Sequence, residues 1–207
     1  MKRAALALVC VGLAGCGGAT AAPEDERLGP AQLVQALQEG GLVVYFRHAS
    51  TDRSQIDAGL ADLDDCSKQR NLDAAGREQS REIGRGFREL EIPVGGVLSS
   101  EYCRARETAE LAFGRYEDEP VLTGFPAEGD PGYREQLAGT RELIGSPPAE
   151  GNTVLAAHVK NLEAAAGVSL DEGDAAVFEP LGDSRFRHLG RIPASVWPQL
   201  ASELRPS

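Results

Sequence analysis

Hydrophobic and polar positions alternate in blocks that spell an α/β chain. From Pro30 the apolar positions Leu33, Val34 and Leu37 recur at helical spacing, and Gly40-Gly41 stops the run. Val43-Val44-Tyr45-Phe46 follows as an unbroken apolar stretch over about 42–47, the signature of a strand buried on both faces, and it ends abruptly in Arg47-His48-Ala49. After a charged, aperiodic stretch over 49–70, Leu72-Asp73-Ala74-Ala75-Gly76 opens the longest predicted helix, with Asp73 as N-cap and Ile83, Phe87 and Leu90 as its stripe. Gly76 and Gly84 are expected to let it approach the sheet, and Pro93 with Gly95-Gly96 ends it. Val97-Leu98 is a short strand running into Ser99-Ser100-Glu101, where a serine is expected to cap a helix reaching Phe113 and carrying Arg104 near its start.

Further along, Pro120-Val121-Leu122 reads as an edge strand, 124–132 as a glycine- and proline-rich loop, and about 132–144 as a helix. Thr153-Val154-Leu155-Ala156-Ala157 repeats the opening theme and ends in His158, with a helix over about 160–166 closed by Gly167. Two antiparallel strands, around Ala175-Val177-Phe178 and Phe186-His188-Leu189-Arg191, are expected to turn at Gly182-Asp183, with His188 a packing or surface residue. A short helix with Trp197 and Leu200 closes the chain. The expected fold class is α/β, a three-layer sandwich with a mostly parallel central sheet flanked by helices.

Composition adds two constraints. The 207 residues are 42% hydrophobic and 26% charged, enough for one domain with a real core. The net charge of −11 argues against a nucleic-acid partner. An anionic ligand would need a local cationic pocket working against the field of the whole chain.

The first 16 residues read as a targeting segment. Lys2-Arg3 precedes a short apolar stretch from Ala4 to Leu13, too short to span a bilayer, and then Leu13-Ala14-Gly15-Cys16. This resembles a bacterial lipoprotein signal, with Cys16 as the lipidated first residue of the mature chain; the alternative is an ordinary secretory peptide cut nearer Ala19-Ala22. Residues 17–29 read as a tether and 30–205 as the folded domain. The implied location is the bacterial cell envelope outside the cytoplasm, with membrane contact through the lipid alone. Removing Lys2 and Arg3 from the 21 basic residues leaves 19 against 32 acidic ones, a mature charge of −13. Of the four cysteines, Cys10 leaves with the signal and Cys16 carries lipid, so Cys66 and Cys103 are expected to pair; two free core thiols are the alternative.

Three strand ends thus deliver Arg47-His48, Arg104 and His158. In a mostly parallel sheet these ends share the carboxyl edge, where open α/β sheets bind ligands. Guanidinium forks suit a phosphate and an imidazole suits nucleophilic or acid–base work near neutral pH. The residues therefore predict a site for a phosphoryl group with one histidine as covalent nucleophile.

Phe46-Arg47-His48-Ala49 resembles the Arg-His-Gly motif of the histidine phosphatase superfamily, also called phosphoglycerate mutase-like. The similarity continues through Leu72-Asp73-Ala74-Ala75-Gly76-Arg77-Glu78-Gln79, through Ser99-Ser100-x-x-x-Arg104-Ala105-x-x-Thr108-Ala109, and to the strand closing in His158, covering about residues 40–165. The resemblance implies a phosphoglycerate mutase-like fold and a phosphomonoesterase. His48 would carry the phosphoryl group, Arg47, Arg104 and His158 would bind its oxygens, and neither metal nor cofactor would be required. The implied partner is a phosphorylated small molecule acted on by a monomer. Ala49 stands where the motif has glycine. Val159 and Gly124 stand where branches of the family place the acid that protonates the leaving oxygen, so Asp52, Asp57 and Glu128 become the candidates, each alternatively a solvated loop residue. The competing expectation is a non-catalytic envelope lipoprotein that binds a phosphoryl ligand in a retained cationic pocket.

Overall fold

The computed structural model describes residues 27–58, 61–124 and 126–205. The signal and lipidation site expected at 1–16, and most of the tether expected over 17–29, lie outside the described residues. Helix α1 (Pro30–Glu39) leads into β1 (Val43–Arg47), then α2 (Ala74–Glu89), β2 (Val94–Ser99) and α3 (Cys103–Phe113). After these come β3 (Glu117–Asp118), α4 (Tyr133–Gly145), β4 (Asn152–Ala157) and α5 (Val159–Ala166), and then β5 (Ala175–Gly182), β6 (Arg185–Ile192) and α6 (Trp197–Leu204). The six strands form one sheet in the order β3-β2-β4-β1-β5-β6. The β3–β2, β2–β4 and β4–β1 pairings are parallel and the β1–β5 and β5–β6 pairings antiparallel, so β5 alone runs against the rest.

Alternation along β1 and β4 fills both sides. Val44, Phe46, Val154 and Ala156 face a core built with Leu33, Leu37, Ile83, Phe87 and Trp197, from α1, α2 and α6. Val43, Tyr45, Leu155 and Ala157 face a second core with Leu122, Ile144 and Leu162, the last two from α4 and α5. Covering both faces is why these strands read as continuous apolar runs rather than alternating ones. Among the described residues no helix is long and apolar enough to cross a membrane.

Several expectations shift. The edge strand is Glu117–Asp118, while Pro120–Leu122 forms a 3-10 turn whose proline lacks the N–H a strand partner would need. The α3 N-cap is Tyr102, without a side-chain capping bond, because Ser99 and Ser100 are drawn into other contacts. Gly84 packs against the α3 backbone at Ala112 rather than against the sheet. The β5–β6 turn is Asp183-Ser184, both at positive φ (53° and 56°), as a two-residue type I′ hairpin requires. Leu28, expected in the tether, belongs to the folded part: its N–H donates to Leu189 O at 2.8 Å and its side chain packs on the core. Asp73 caps α2 as expected, accepting from Gly76 N at 2.6 Å.

Candidate active site

Parallel β1, β4 and β2 end at one edge, and the chain delivers its chemistry there. His48 follows β1 and His158 follows β4; their rings approach edge to face with centroids 5.5 Å apart. Both are buried, His48 at 3% and His158 at 9% exposure. The backbone fixes them before any side chain acts. His48 N–H donates to Ala157 O at 2.9 Å, and Tyr45 Oη–H donates to His158 O at 2.8 Å.

His48 Nδ1 lies 2.9 Å from Ala49 O. A carbonyl only accepts, so Nδ1 carries the proton and Nε2 keeps its lone pair. Burial pushes the His48 imidazolium down to about 3, Arg104, Arg47 and Arg70 push the same way, and the Ala49 carbonyl opposes them. His158 is driven well below its ordinary value, first by burial and then by His48, Arg104, Arg47 and Arg70. Both rings are neutral at neutral pH, as attack through nitrogen requires. Ser100 Oγ lies 2.8 Å from His158 Nε2 and accepts the Tyr102 N–H at 3.3 Å.

Two arginines are gripped by their far ends. Arg47 Nη1 donates to Leu170 O at 2.8 Å and Nη2 to Glu172 Oε1 at 3.4 Å. Arg104 Nη1 donates to Asp57 Oδ1 at 3.0 Å and to Arg70 O at 3.3 Å, while its guanidinium stacks 4.3 Å over the Tyr102 ring. The Nε–H of each is buried with no partner. Buried charged donors without acceptors are costly and rare in native proteins. Two of them beside two neutral imidazoles fit a tetrahedral oxyanion, which offers acceptors in several directions.

The motif residues around this centre have structural work. Thr108 Oγ1 accepts the Ala49 N–H at 3.0 Å and donates to Arg104 O at 2.7 Å, tying α3 to the residue after His48. Gln79 accepts the Ser50 N–H through Oε1 and donates through Nε2 to Glu172 O, both at 3.1 Å. Gly76 has no room for a side chain, because a Cβ there would collide with the Ser50 backbone.

The structure brings His48, Arg47, Arg104 and His158 together and divides the three acid candidates. Asp57 reaches the site edge, holding Arg104 and accepting the Arg70 N–H at 2.9 Å. Asp52 does not reach it: its carboxylate accepts the Ser54 N–H and Oγ–H at 2.9 and 2.7 Å, and those bonds hold it below the usual carboxylate range. Glu128 is exposed and lines a surface pocket with Tyr133, Lys160 and Glu163, turned toward the outer side of α5. Cys66 and Cys103 form a disulfide with Cα atoms 5.7 Å apart, which staples the loop before α2 to the start of α3. His188 packs on Phe178, ring centroids 5.1 Å apart, on the far strand pair.

Two residues join the site unannounced by the sequence. Arg70 lies on the stapled loop and its charge is felt by both histidines. Glu172 sits between α5 and β5 within ion-pair distance of Arg47, Arg53 and Arg70. Each sits in an aperiodic charged stretch with no strand end to mark it.

Fold and site together define an α/β protein with a histidine pair and two buried arginines at the sheet's carboxyl edge. The family model of the histidine phosphatase superfamily (branch 1) matches residues 43–164, and the chain belongs to that superfamily. Solved structures share the fold. One is a candidate alpha-ribazole-5'-P phosphatase from Escherichia coli, 16% identical over 72% of this chain and 96% of that one, TM-score 0.51. Another is the product of open reading frame Rv3214 of Mycobacterium tuberculosis, 14% identical over 72% and 95%, TM-score 0.52. A third is a variant of TTHB049 from Thermus thermophilus, 23% identical over 73% and 99%, TM-score 0.50. The sequence matched no curated protein.

Proposed function

We propose that the protein is a phosphatase that hydrolyses phosphomonoesters through a phosphohistidine on His48. The observation that carries this reading is the Nδ1–H bond to Ala49 O, which leaves Nε2 unprotonated beside a second neutral histidine and two buried, half-satisfied guanidinium groups. Nε2 attacks phosphorus, the P–O bond to the leaving group breaks, and the leaving oxygen takes its proton from water. Water then attacks phosphorus, the P–N bond breaks, and Nε2 regains its lone pair as inorganic phosphate and a proton leave. Arg47, Arg104 and His158 hold the equatorial oxygens where charge accumulates.

Among the described residues no carboxyl group is hydrogen-bonded to either histidine, and the two carboxylates at the site edge, Asp57 and Glu172, both engage arginines. The expected substrates are therefore small phosphomonoesters whose leaving oxygen departs readily, aryl phosphates ahead of alkyl ones. We place the enzyme outside the bacterial cytoplasm as a monomer anchored by lipid on Cys16. The Cys66–Cys103 disulfide supports an oxidising compartment. Mass spectrometry of the mature amino terminus tests the anchor: a diacylglyceryl mass on Cys16 is expected, and an unmodified terminus beyond it would remove the anchor.

The test of function is hydrolysis of p-nitrophenyl phosphate by the wild type and His48→Ala. The wild type is expected to turn over and the variant to lose at least about a thousandfold. Equal rates in the two proteins would reject His48 as the nucleophile. Phosphate binding with no turnover across pH 4–8 would leave a phosphoryl-binding lipoprotein instead.

A further inference from the structure

Glu172 is the least expected member of the site and the most connected. Its side chain is 10% exposed. Oε1 accepts from Thr51 Oγ1 at 3.0 Å and from Arg47 Nη2 at 3.4 Å, and it lies 3.7 Å from Arg70 Nη1. Oε2 lies 3.3 Å from Arg53 Nη2. One carboxylate thus gathers three guanidinium groups from three places: the end of β1, the turn after His48, and the stapled loop.

The backbone around it is clamped as firmly. Glu172 O accepts from Gln79 Nε2 at 3.1 Å. The next residue, Gly173, donates its N–H to both Arg47 O and His48 O, at 3.2 and 3.0 Å. Gly173 sits at φ +86°, and a Cβ there would run into the Gln79 amide. The 171–174 segment is therefore built to hold one side chain against Arg47.

Where that side chain takes hold decides between two roles. Arg47 is held at Nη1 by Leu170 O and at Nη2 by Glu172, whereas its Nε–H is buried and unpartnered. The carboxylate grips Nη2 and leaves the Nε–H without a protein partner, so it does not take up every donor of the fork. Without it, Arg47 and Arg70, both largely buried, would repel one another across a few ångströms, with the exposed Arg53 adding less. We propose that Glu172 is a positioning residue of the phosphate cradle: it fixes Arg47 and gathers Arg70 beside it, so that the guanidinium donors already face the phosphoryl group before substrate arrives. The proposal rests on the phosphatase reading above and deepens it.

The test uses the full mature chain with its disulfide intact, in Glu172→Ala and Glu172→Gln. The readouts are kcat and KM for p-nitrophenyl phosphate and the calorimetric Kd for inorganic phosphate. Glu172→Ala is expected to lower kcat by about 10- to 100-fold, since misplacing a transition-state donor by about 1 Å costs that much, and to weaken phosphate binding. Glu172→Gln keeps an oxygen acceptor for Thr51 and Arg47 and is expected to recover part of both losses. Unchanged kcat and phosphate Kd in Glu172→Ala would overturn the proposal. Tighter phosphate binding at full kcat in Glu172→Gln would overturn it too, making the carboxylate a competing counter-ion.

Circular dichroism monitors folding. Should Glu172→Ala unfold, Thr51→Val removes one donor to the same carboxylate; a several-fold fall in kcat supports the proposal and no change overturns it. A wild type that binds phosphate but hydrolyses nothing defeats the phosphatase reading alone, and the phosphate Kd of the variants then decides the role of Glu172. A wild type that neither binds nor hydrolyses defeats both.

Discussion

Two walls face each other across the site, and they are held by different means. The sheet-borne wall carries Arg47, His48 and His158, and backbone bonds fix it: Arg47 N–H to Asp174 O at 3.1 Å, His48 N–H to Ala157 O at 2.9 Å, and Gly173 N–H back to both residues. The loop-borne wall, 52–58 and 61–71, carries Asp57 and Arg70. Backbone bonds fold it on itself, from Asp52 N–H to Asn71 O at 3.0 Å and Ala58 N–H to Lys68 O at 2.8 Å, but side chains tie it to the domain, with Gln69 Oε1 taking the Cys103 N–H at 3.0 Å, and the Cys66–Cys103 disulfide closes it. The groups proposed to form and break bonds sit on the ladder. The groups that tune charge around them sit on the staple. Arg104 joins the two, since it stands on α3 one residue past Cys103 and its fork reaches across to Asp57 and Arg70 O.

Arg104→Ala attacks that junction and carries the largest expected effect of the changes that probe the two walls. It removes one phosphate donor, a loss of about 10²–10³ in kcat for comparable oxyanion donors, and leaves Asp57 without its guanidinium. Aryl phosphatase kinetics check it; a loss below tenfold would show that the two walls act independently.

Breaking the staple should separate the walls. Replacing Cys66 and Cys103 by Ala, or reducing the bridge, opens a loop with a sequence separation of 37 and is expected to cost about 2–4 kcal/mol. Thermal unfolding should fall by roughly 5–15 °C. Amide exchange should rise across 52–71 while the β1 amides stay protected. Equal loss of protection in β1 would erase the distinction between ladder and staple.

The smallest effect is a pH dependence to which the ladder contributes through His48. The folded protein holds His48 neutral down to about 3, whereas an unfolded chain protonates it near 6.5. Between those values the unfolded state binds the extra proton, so stability is full above about pH 6.5 and falls as pH drops toward 3. Chemical denaturation of the wild type at pH 7, 6 and 5 should show this slope, to which His158 and His188 add because burial holds both below the usual histidine range, and His48→Gln should make it shallower. Identical slopes in the two proteins would mean that His48 does not carry the linkage.

The same division explains what could be read from the sequence. β1, β4 and the helix bearing Arg104 are legible because burial on both faces writes itself as unbroken apolar runs, and because Arg47-His48 and His158 stand where those runs stop. The disulfide follows from counting cysteines in a chain whose amino terminus reads as an export signal. Glu172 and Arg70 are not legible. Their partners lie far off in sequence, as with Thr51 and Glu172 at a separation of 121, and their neighbourhoods carry no periodicity. In a chain with 32 acidic residues, nothing local separates Glu172 from Asp52 or Glu128, which turn outward. The edge strand fell at 117–118 rather than 120–122 because so short a strand leaves hardly any alternation to read.

The most direct measurement asks which nitrogen of His48 takes the phosphoryl group. Rapid acid-free quenching during turnover, followed by ³¹P and ¹⁵N NMR of the denatured phosphoprotein, distinguishes the two phosphohistidine isomers. The Nδ1–H bond to Ala49 O predicts phosphate on Nε2 of His48. Phosphate on Nδ1, on another residue, or on none during active turnover would contradict the account.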